Sequence, residues 1–187
     1  MPNLKSSLHI GTLRTLTTAV GVLAGLFTYM PLALGQTGDA AAPIYGVTIP
    51  PGYRDWKLIA VDHLVTDTVD QLRAQLGNEI AIKAFKEGKV PFPDGAIIAA
   101  LHWTHVPSED NNKVLAGPFP GAHSFVAGSA VNVQFMVKDS KKYAVTGGWG
   151  FADFKDGKPA SEALHATCFL CHEPARTHDF VFTHYAP

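Results

Sequence analysis

The sequence contains few sulfur-containing residues. It has two cysteines in 187 residues, Cys168 and Cys171, and Met136 is the only methionine beyond residue 35. A closed structural zinc site takes four protein ligands. The chain has no second cysteine pair that would complete such a site, so the sequence argues against one.

The sequence also lacks an apolar run long enough to cross a membrane. A transmembrane helix takes about 20 consecutive apolar residues, and the apolar stretch of residues 19–27 is flanked by threonines. Lys5 and Arg14 precede this stretch, and residues 33–35 (Ala-Leu-Gly) follow it as a small-x-small cleavage pattern. We therefore predict a secretory signal peptide over residues 1–35 and a periplasmic mature protein without a membrane span. An uncleaved membrane anchor is the alternative.

The sequence has no large excess of acidic or of basic residues. The formal net charge is −1, and loss of Lys5 and Arg14 with the leader moves it to −3. Proteins that bind nucleic acid concentrate lysine and arginine on one face. The closest basic grouping here is Lys138, Lys141 and Lys142, which we interpret as a solvated turn after a strand. We therefore expect no nucleic-acid partner.

Beyond the leader, the chain has the length of a single domain. Cleavage after Gly35 leaves 152 residues, an ordinary domain size. Residues 36–51 are rich in glycine, alanine and proline without periodicity and predict a flexible lead-in. Residues 52–187 are then the folded domain, which has no internal repeat and no low-complexity tract.

The residue pattern of this domain favours strands over helices. Residues 131–137 and 149–154 alternate, and residues 96–103 form an apolar run of the length of a buried strand. Helices are predicted over residues 78–89 and from Ser161 to the cysteines. This order predicts an α+β fold that is predominantly an antiparallel β-sheet with short flanking helices.

Residues 168–172, Cys-Phe-Leu-Cys-His, form the C-x-x-C-H pattern of haem c attachment. Thiols at this spacing reach both vinyl groups of one porphyrin, and His172 then lies beneath the iron as its proximal axial ligand. Haem c is assembled outside the cytoplasm, which agrees with the export signal. A thioredoxin-like redox pair, the alternative, normally lies near the start of a βαβ unit, and none surrounds the motif. We predict one covalent haem c, attached at Cys168 and Cys171 near the C-terminus.

The residue opposite His172 distinguishes an electron carrier from a ligand-binding haem protein. A methionine ligand raises the potential and suits electron transfer, but no methionine follows the motif, and Met136 is interpreted as sheet packing. His102 and His105 stand three apart on a predicted strand, which sends them to opposite faces. We therefore expect a five-coordinate iron with an open distal side. The other histidines of the domain show no mutual spacing that indicates a site: His63, His123, His165, His178 and His184.

Five groups of residues, spread over most of the chain beyond the leader, carry a family resemblance. They are Arg73 with residues 76–78 (Leu-Gly-Asn), residues 89–95 (Lys-Val-Pro-Phe-Pro-Asp-Gly), residues 137–141 (Val-Lys-Asp-Ser-Lys), residues 147–150 (Gly-Gly-Trp-Gly), and residues 168–172 with 179–183 (Asp-Phe-Val-Phe-Thr). In these segments the chain resembles the cytochrome P-460 and cytochrome c′-beta family. The resemblance implies a mostly antiparallel β fold, a homodimer, and a pentacoordinate haem with an outward-facing distal pocket.

The two branches of that family differ in their chemistry at the haem. The resemblance implies hydroxylamine oxidation for the P-460 branch, with a lysine cross-linked to the porphyrin and a distal carboxylate that assists proton transfer. For the c′-beta branch it implies an uncross-linked haem that binds nitric oxide in an apolar pocket. Ala100 aligns with the cross-linking lysine and cannot form that bond, and residues 131–137 contain no acid. Three lysines before the Pro-Asp-Gly turn are expected to face water: Lys83, Lys86 and Lys89.

Two residues are candidates for the distal side. Arg73 matches a family arginine that reaches it, where a guanidinium hydrogen-bonds a ligand; a surface ion pair is the alternative. Phe125 is one of several aromatic residues near the matched strands that are candidates to cap the iron.

The functional hypothesis is a periplasmic haem protein that binds nitric oxide or a related nitrogen ligand. Redox turnover and a periplasmic redox partner are further expectations. A hydroxylamine-oxidising enzyme and an electron-transfer cytochrome are the alternatives.

Overall fold

The computed structural model describes residues 40–186, so the predicted signal peptide lies outside the described residues. Within this range no helix is long and apolar enough to cross a membrane. The strands are β1 (Lys57–Val65), β2 (Asp70–Gly77), β3 (Ile97–Pro107), β4 (Phe125–Lys138), β5 (Trp149–Lys155) and β6 (Lys158–Pro159). The helices are α1 (Glu79–Glu87), α2 (Glu109–Leu115) and α3 (Glu162–His172), with short 3-10 turns at Tyr53–Asp55, Ala144–Thr146 and Glu173–His178.

The six strands form one antiparallel sheet in which each strand pairs with the next along the chain. This confirms the α+β prediction of an antiparallel sheet with short flanking helices. The strands predicted over residues 96–103, 131–137 and 149–154 correspond to β3, β4 and β5, and the two predicted helices correspond to α1 and α3. Strands β2 and β6 and helix α2 were not predicted.

Both predicted helices begin at a side-chain cap. Asn78 accepts a hydrogen bond from the backbone of Ala81 at 2.9 Å, and Gly88 ends α1 in the left-handed conformation with φ of 59°. Ser161 accepts from the backbone of Leu164 at 3.3 Å and begins α3. The Ser161 cap therefore defines the start of the helix that carries the C-x-x-C-H motif.

Part of the predicted flexible lead-in packs into the core. Ala42, Tyr45 and Val47 are buried, and the Tyr45 ring meets Phe151 edge-on at 5.4 Å between centroids. The hydroxyl of Tyr143 donates to the carbonyl oxygen of Tyr45 at 3.0 Å. The segment is therefore fixed by apolar contacts that its irregular sequence pattern did not reveal.

The interpretation of Lys138 as part of a solvated turn is wrong. Its side chain is buried and donates to both carboxylate oxygens of Asp179 at 2.8 Å and to the carbonyl of Gly147 at 3.0 Å. Its neighbours Lys141 and Lys142 are exposed, as expected. The reason is that the counterion of Lys138 lies 41 residues away in the sequence, where no local pattern indicates it.

Candidate functional site

A cavity of about 510 Å³ lies between α3 and one face of the sheet. Its α3 side includes Cys168, Cys171 and His172. The helix is attached to the sheet through buried His165, whose Nε2 accepts from the backbone N–H of Asp153 at 3.1 Å. Because one helical turn takes 3.6 residues, the two cysteines and the histidine of the motif lie on the same side of α3, facing this space.

The imidazole of His172 is oriented by a backbone carbonyl. Its Nδ1 lies 2.8 Å from the carbonyl oxygen of Phe180, and a carbonyl only accepts, so Nδ1 carries the proton. This leaves a lone pair on Nε2, the arrangement found in metal-binding histidines. Burial lowers the pKa of His172, against a smaller raising effect of the hydrogen bond to Phe180. The ring is therefore neutral at physiological pH and able to coordinate a metal.

The Phe180 carbonyl is itself held by buried groups. Asp179 and Phe180 have φ of 53° and 65°, a conformation that is uncommon for residues other than glycine. The Asp179 carboxylate holds this turn, because it accepts from Lys138 and from the backbone N–H of Phe92 at 2.8 Å. The ring of Phe180 lies against Gly147. Segments that carry the family resemblance thus meet directly behind His172.

The two thiols differ in their surroundings. Cys168 is half-buried and Cys171 is exposed. Burial, with smaller contributions from the charges of Asp153 and Cys171, raises the pKa of Cys168 to about 11. A catalytic redox cysteine has a lowered pKa, because the thiolate is the reactive form. The observed shift is in the opposite direction and argues against a thioredoxin-like pair.

Part of the sheet side of the cavity is polar. Cross-strand partners share a face, and the register aligns two rows of side chains on the face of the sheet that borders the cavity. The first row is Asp62, Arg73, His102 and Asn132, and the second is Gln75, Ala100, Gln134 and Asp153. These rows differ from the apolar pocket that the resemblance implies for the c′-beta branch. A third row, Ile98, Met136 and Phe151, is apolar.

A hydrogen-bond network connects Asp153 to His102. The carboxylate of Asp153 accepts from Nδ2 of Asn132 at 2.6 Å and from Nε2 of Gln134 at 2.9 Å. The amide oxygen of Asn132 therefore faces Nδ1 of His102 at 2.7 Å, so that Nδ1 carries the proton. Burial, followed by the charge of Arg73, lowers the pKa of His102. The neutral ring keeps a lone pair on Nε2.

Two polar atoms in the cavity wall have no hydrogen-bond partner among the described residues. They are Nε of Arg73 and Oε1 of Gln75, and both are buried. A buried polar group without a partner costs about 1–3 kcal/mol. The side-chain amide of Gln75 is held on its other side by Asp62, at 2.5 Å. Both atoms belong to side chains that line the cavity, so two unmet hydrogen bonds lie within its wall.

The structure brings most of the predicted site residues to one cavity. Arg73 and Ala100 line it together with the motif residues. Phe125 does not line it; its ring stacks on His105 at 4.2 Å between centroids, at the other end of β3. The sequence patterns did not single out Asp153, although an acid within the apolar strand of residues 149–154 was an available indication, and they considered His102 only as a partner of His105. The lysines before the Pro-Asp-Gly turn are exposed: Lys83, Lys86 and Lys89.

The cavity suits a haem group. Two thiols and an imidazole with a free Nε2 lie on one wall, and unpartnered polar atoms lie on the other. The family model of cytochrome P460 matches residues 50–183, which is most of the chain. No curated protein matches the sequence. The chain therefore belongs to the cytochrome P460 family of haem proteins.

Proposed function

We propose that this chain is a periplasmic protein with one haem c, bonded to Cys168 and Cys171, and with His172 as the proximal iron ligand. The observation that carries this proposal is the hydrogen bond from His172 to the Phe180 carbonyl, which leaves Nε2 free at the wall of the cavity. The haem iron supplies the centre that binds ligands and exchanges electrons. Its ligand in this proposal would be nitric oxide or a related small nitrogen species.

The chain's own residues would bind and orient that ligand. Arg73 is half-buried at the cavity wall, and its Nη2 makes one long hydrogen bond, to Oε1 of Gln71 at 3.4 Å, so its guanidinium is available to donate to a bound ligand. Ala100 lies between Gln75 and Gln134 in the register and offers no amine for a bond to the porphyrin edge. We therefore propose a haem without a lysine cross-link. The family resemblance further supports a homodimer and a periplasmic redox partner.

Oxidation of hydroxylamine is a second candidate function, and the polar wall favours it. This reaction releases protons as well as electrons, so it needs proton-accepting groups near the substrate. Asp153 and His102 are such groups, and Asn132 connects them through hydrogen bonds. In this case the electrons would leave through the redox partner.

Haem attachment is tested on protein matured in a periplasm. We expect haem-dependent peroxidase staining on a denaturing gel, lost when Cys168→Ala is combined with Cys171→Ala. Leu170→Ala is the matched control, because Leu170 is an exposed residue between the two cysteines, and it should keep the stain. Staining that persists in the double variant would contradict covalent attachment.

His172→Ala should change the absorption spectrum, and an unchanged spectrum would contradict the proximal role.

The absorption spectrum and a turnover assay distinguish the functions. A broad high-spin spectrum with nitric oxide binding and weak hydroxylamine turnover supports the ligand-binding protein. Steady hydroxylamine oxidation, with a reduced Soret band far to the red and a second peptide joined to the haem peptide in mass spectrometry, supports the enzyme instead. Sharp low-spin bands would indicate an electron carrier in which Met136 or His102, which both line the cavity, ligates the iron.

A further inference from the structure

Two histidines and one aspartate converge on the sheet face opposite the haem cavity. His63 of β1 is paired with Leu72 of β2, and Leu72 with Trp103 of β3, so these three share a face. Asp70 and His105 stand two residues from Leu72 and Trp103, on the same face. Three adjacent strands thus present three side chains to one point. Arg73 and His102, one residue along from Leu72 and Trp103, face the cavity instead.

The three side chains already make contact through a single oxygen atom. Oδ1 of Asp70 lies 2.7 Å from Nε2 of His63 and 3.2 Å from Nδ1 of His105. The imidazole rings are 4.0 Å apart between centroids and inclined by 35°. One ligand atom from each residue lies within 4.8 Å of the other two. Two atoms bound to one zinc ion at about 2.0–2.2 Å are at most about 4.4 Å apart, so only a small adjustment is needed.

The packing of His105 holds this arrangement. Its side chain is 13% exposed, and its ring stacks on Phe125 at 4.2 Å with an angle of 27°. The turn between β1 and β2 is closed by the hydrogen bond from the backbone of Thr66 to Val69 at 2.7 Å. A site built from paired strands and a stacked ring loses little conformational freedom when it binds an ion.

We propose that His63, Asp70 and His105 form a site for a divalent first-row transition ion, with Zn²⁺ as the probe. Two imidazole nitrogens and one carboxylate oxygen are a donor set that such ions accept, with water completing the coordination. The ion would replace the hydrogen bonds to Asp70, and the imidazoles would bind through their deprotonated nitrogens. It would join the β1–β2 hairpin to β3. The site is independent of the haem and of the proposed function.

Isothermal titration of the haem-loaded protein with Zn²⁺ tests this site. We expect one Zn²⁺ per chain in the wild type, and an affinity at least about tenfold weaker in Asp70→Asn and His105→Asn, because loss of even an outer-sphere partner costs about 10–100-fold. Two controls should bind like the wild type: Asp67→Asn, which removes the same charge from the turn just before Asp70, and His123→Asn, which removes an exposed histidine elsewhere.

Several results would overturn the proposal. One is that the wild type takes up no zinc, and another is that both Asp70→Asn and His105→Asn bind zinc with the affinity of the wild type. A third is loss of binding in His178→Asn, which would assign the ion to the neighbouring rings of His178 and His184. Paramagnetic resonance of the wild type with one equivalent of Cu²⁺ is a check that does not depend on the folding of any variant. We expect coupling to two nitrogen donors, and a copper signal without nitrogen coupling would contradict the site.

Discussion

The ammonium group of Lys138 donates to both carboxylate oxygens of Asp179 at 2.8 Å, and both side chains are at least 93% buried. Asp179 precedes Phe180, whose carbonyl accepts from His172. The pair therefore supports the residue that orients the proposed iron ligand. Because a buried charge without its partner is costly, this support is tested through stability.

Asp179→Ala should lower the free energy of unfolding by about 3–5 kcal/mol, because it leaves Lys138 buried without a counterion. Urea denaturation measures this change. Asp110→Ala, at an exposed carboxylate 3.9 Å from Lys113, is the control and should stay within about 0.5 kcal/mol of the wild type. The double variant Lys138→Met with Asp179→Leu should cost less than Asp179→Ala. A larger cost in the double variant would show that the charge of the pair is not the cause.

Gly147→Ala should destabilise the protein more than Gly52→Ala. Both glycines have nearly the same positive φ, 67° and 68°, so both substitutions carry the same backbone strain. A methyl group at Gly147 would overlap the ring of Phe180, whereas nothing lies within 4 Å of one at Gly52. We expect an additional cost of about 1–3 kcal/mol at Gly147, measured by urea denaturation. Equal costs would mean that the Phe180 ring moves aside freely.

Acidification should destabilise the wild type more than His102→Gln. Burial, with a smaller contribution from Arg73, lowers the pKa of His102 in the folded protein. Above the unfolded pKa of about 6.5 neither state binds the proton. Below it the unfolded chain takes up a proton that the folded protein does not, so stability falls with pH until the lowered folded pKa is reached. Urea midpoints measured from pH 8 to pH 5 should therefore diverge, and parallel curves would contradict the neutral buried histidine.

Arg73→Leu should accelerate the dissociation of nitric oxide from the ferrous protein. A hydrogen bond from a charged donor is worth about 1.5–3 kcal/mol, which corresponds to roughly ten- to hundredfold in rate. Stopped-flow trapping of released nitric oxide measures this rate. Arg54→Leu removes an exposed arginine from the Tyr53–Asp55 turn and should leave the rate unchanged. Equal rates in the wild type and Arg73→Leu would show that Arg73 makes no contact with the ligand.

The sequence alone was sufficient where the relevant interaction is local. The C-x-x-C-H spacing and the caps Asn78 and Ser161 each depend on residues within one helical turn. Strand alternation over residues 131–137 and 149–154 is local in the same sense. These patterns predicted the α+β class and the candidate attachment residues, and the family resemblance added Arg73.

Strand β2 is an example of a feature that local patterns did not predict. Its residues alternate between polar and apolar side chains, but Arg73 and Gln75 line a cavity instead of facing open solvent. Phe125 illustrates the reverse case, because an aromatic residue near the matched strands stacks on His105 and does not reach the cavity. In both cases the sequence indicates that a side chain lies on one face, but not what covers that face.

Only the tertiary structure decided which distant residues meet. Asp153 and Asn132 are 21 residues apart and His102 and Asn132 are 30 apart, yet strand register places them in one network. The same register brings His63 next to His105, although their separation in the sequence gives no indication of this contact. A strand pairs through backbone groups that every residue carries, so composition does not specify the register. It is determined by the packing of the whole sheet, and the polar wall and the opposite histidine cluster both follow from it.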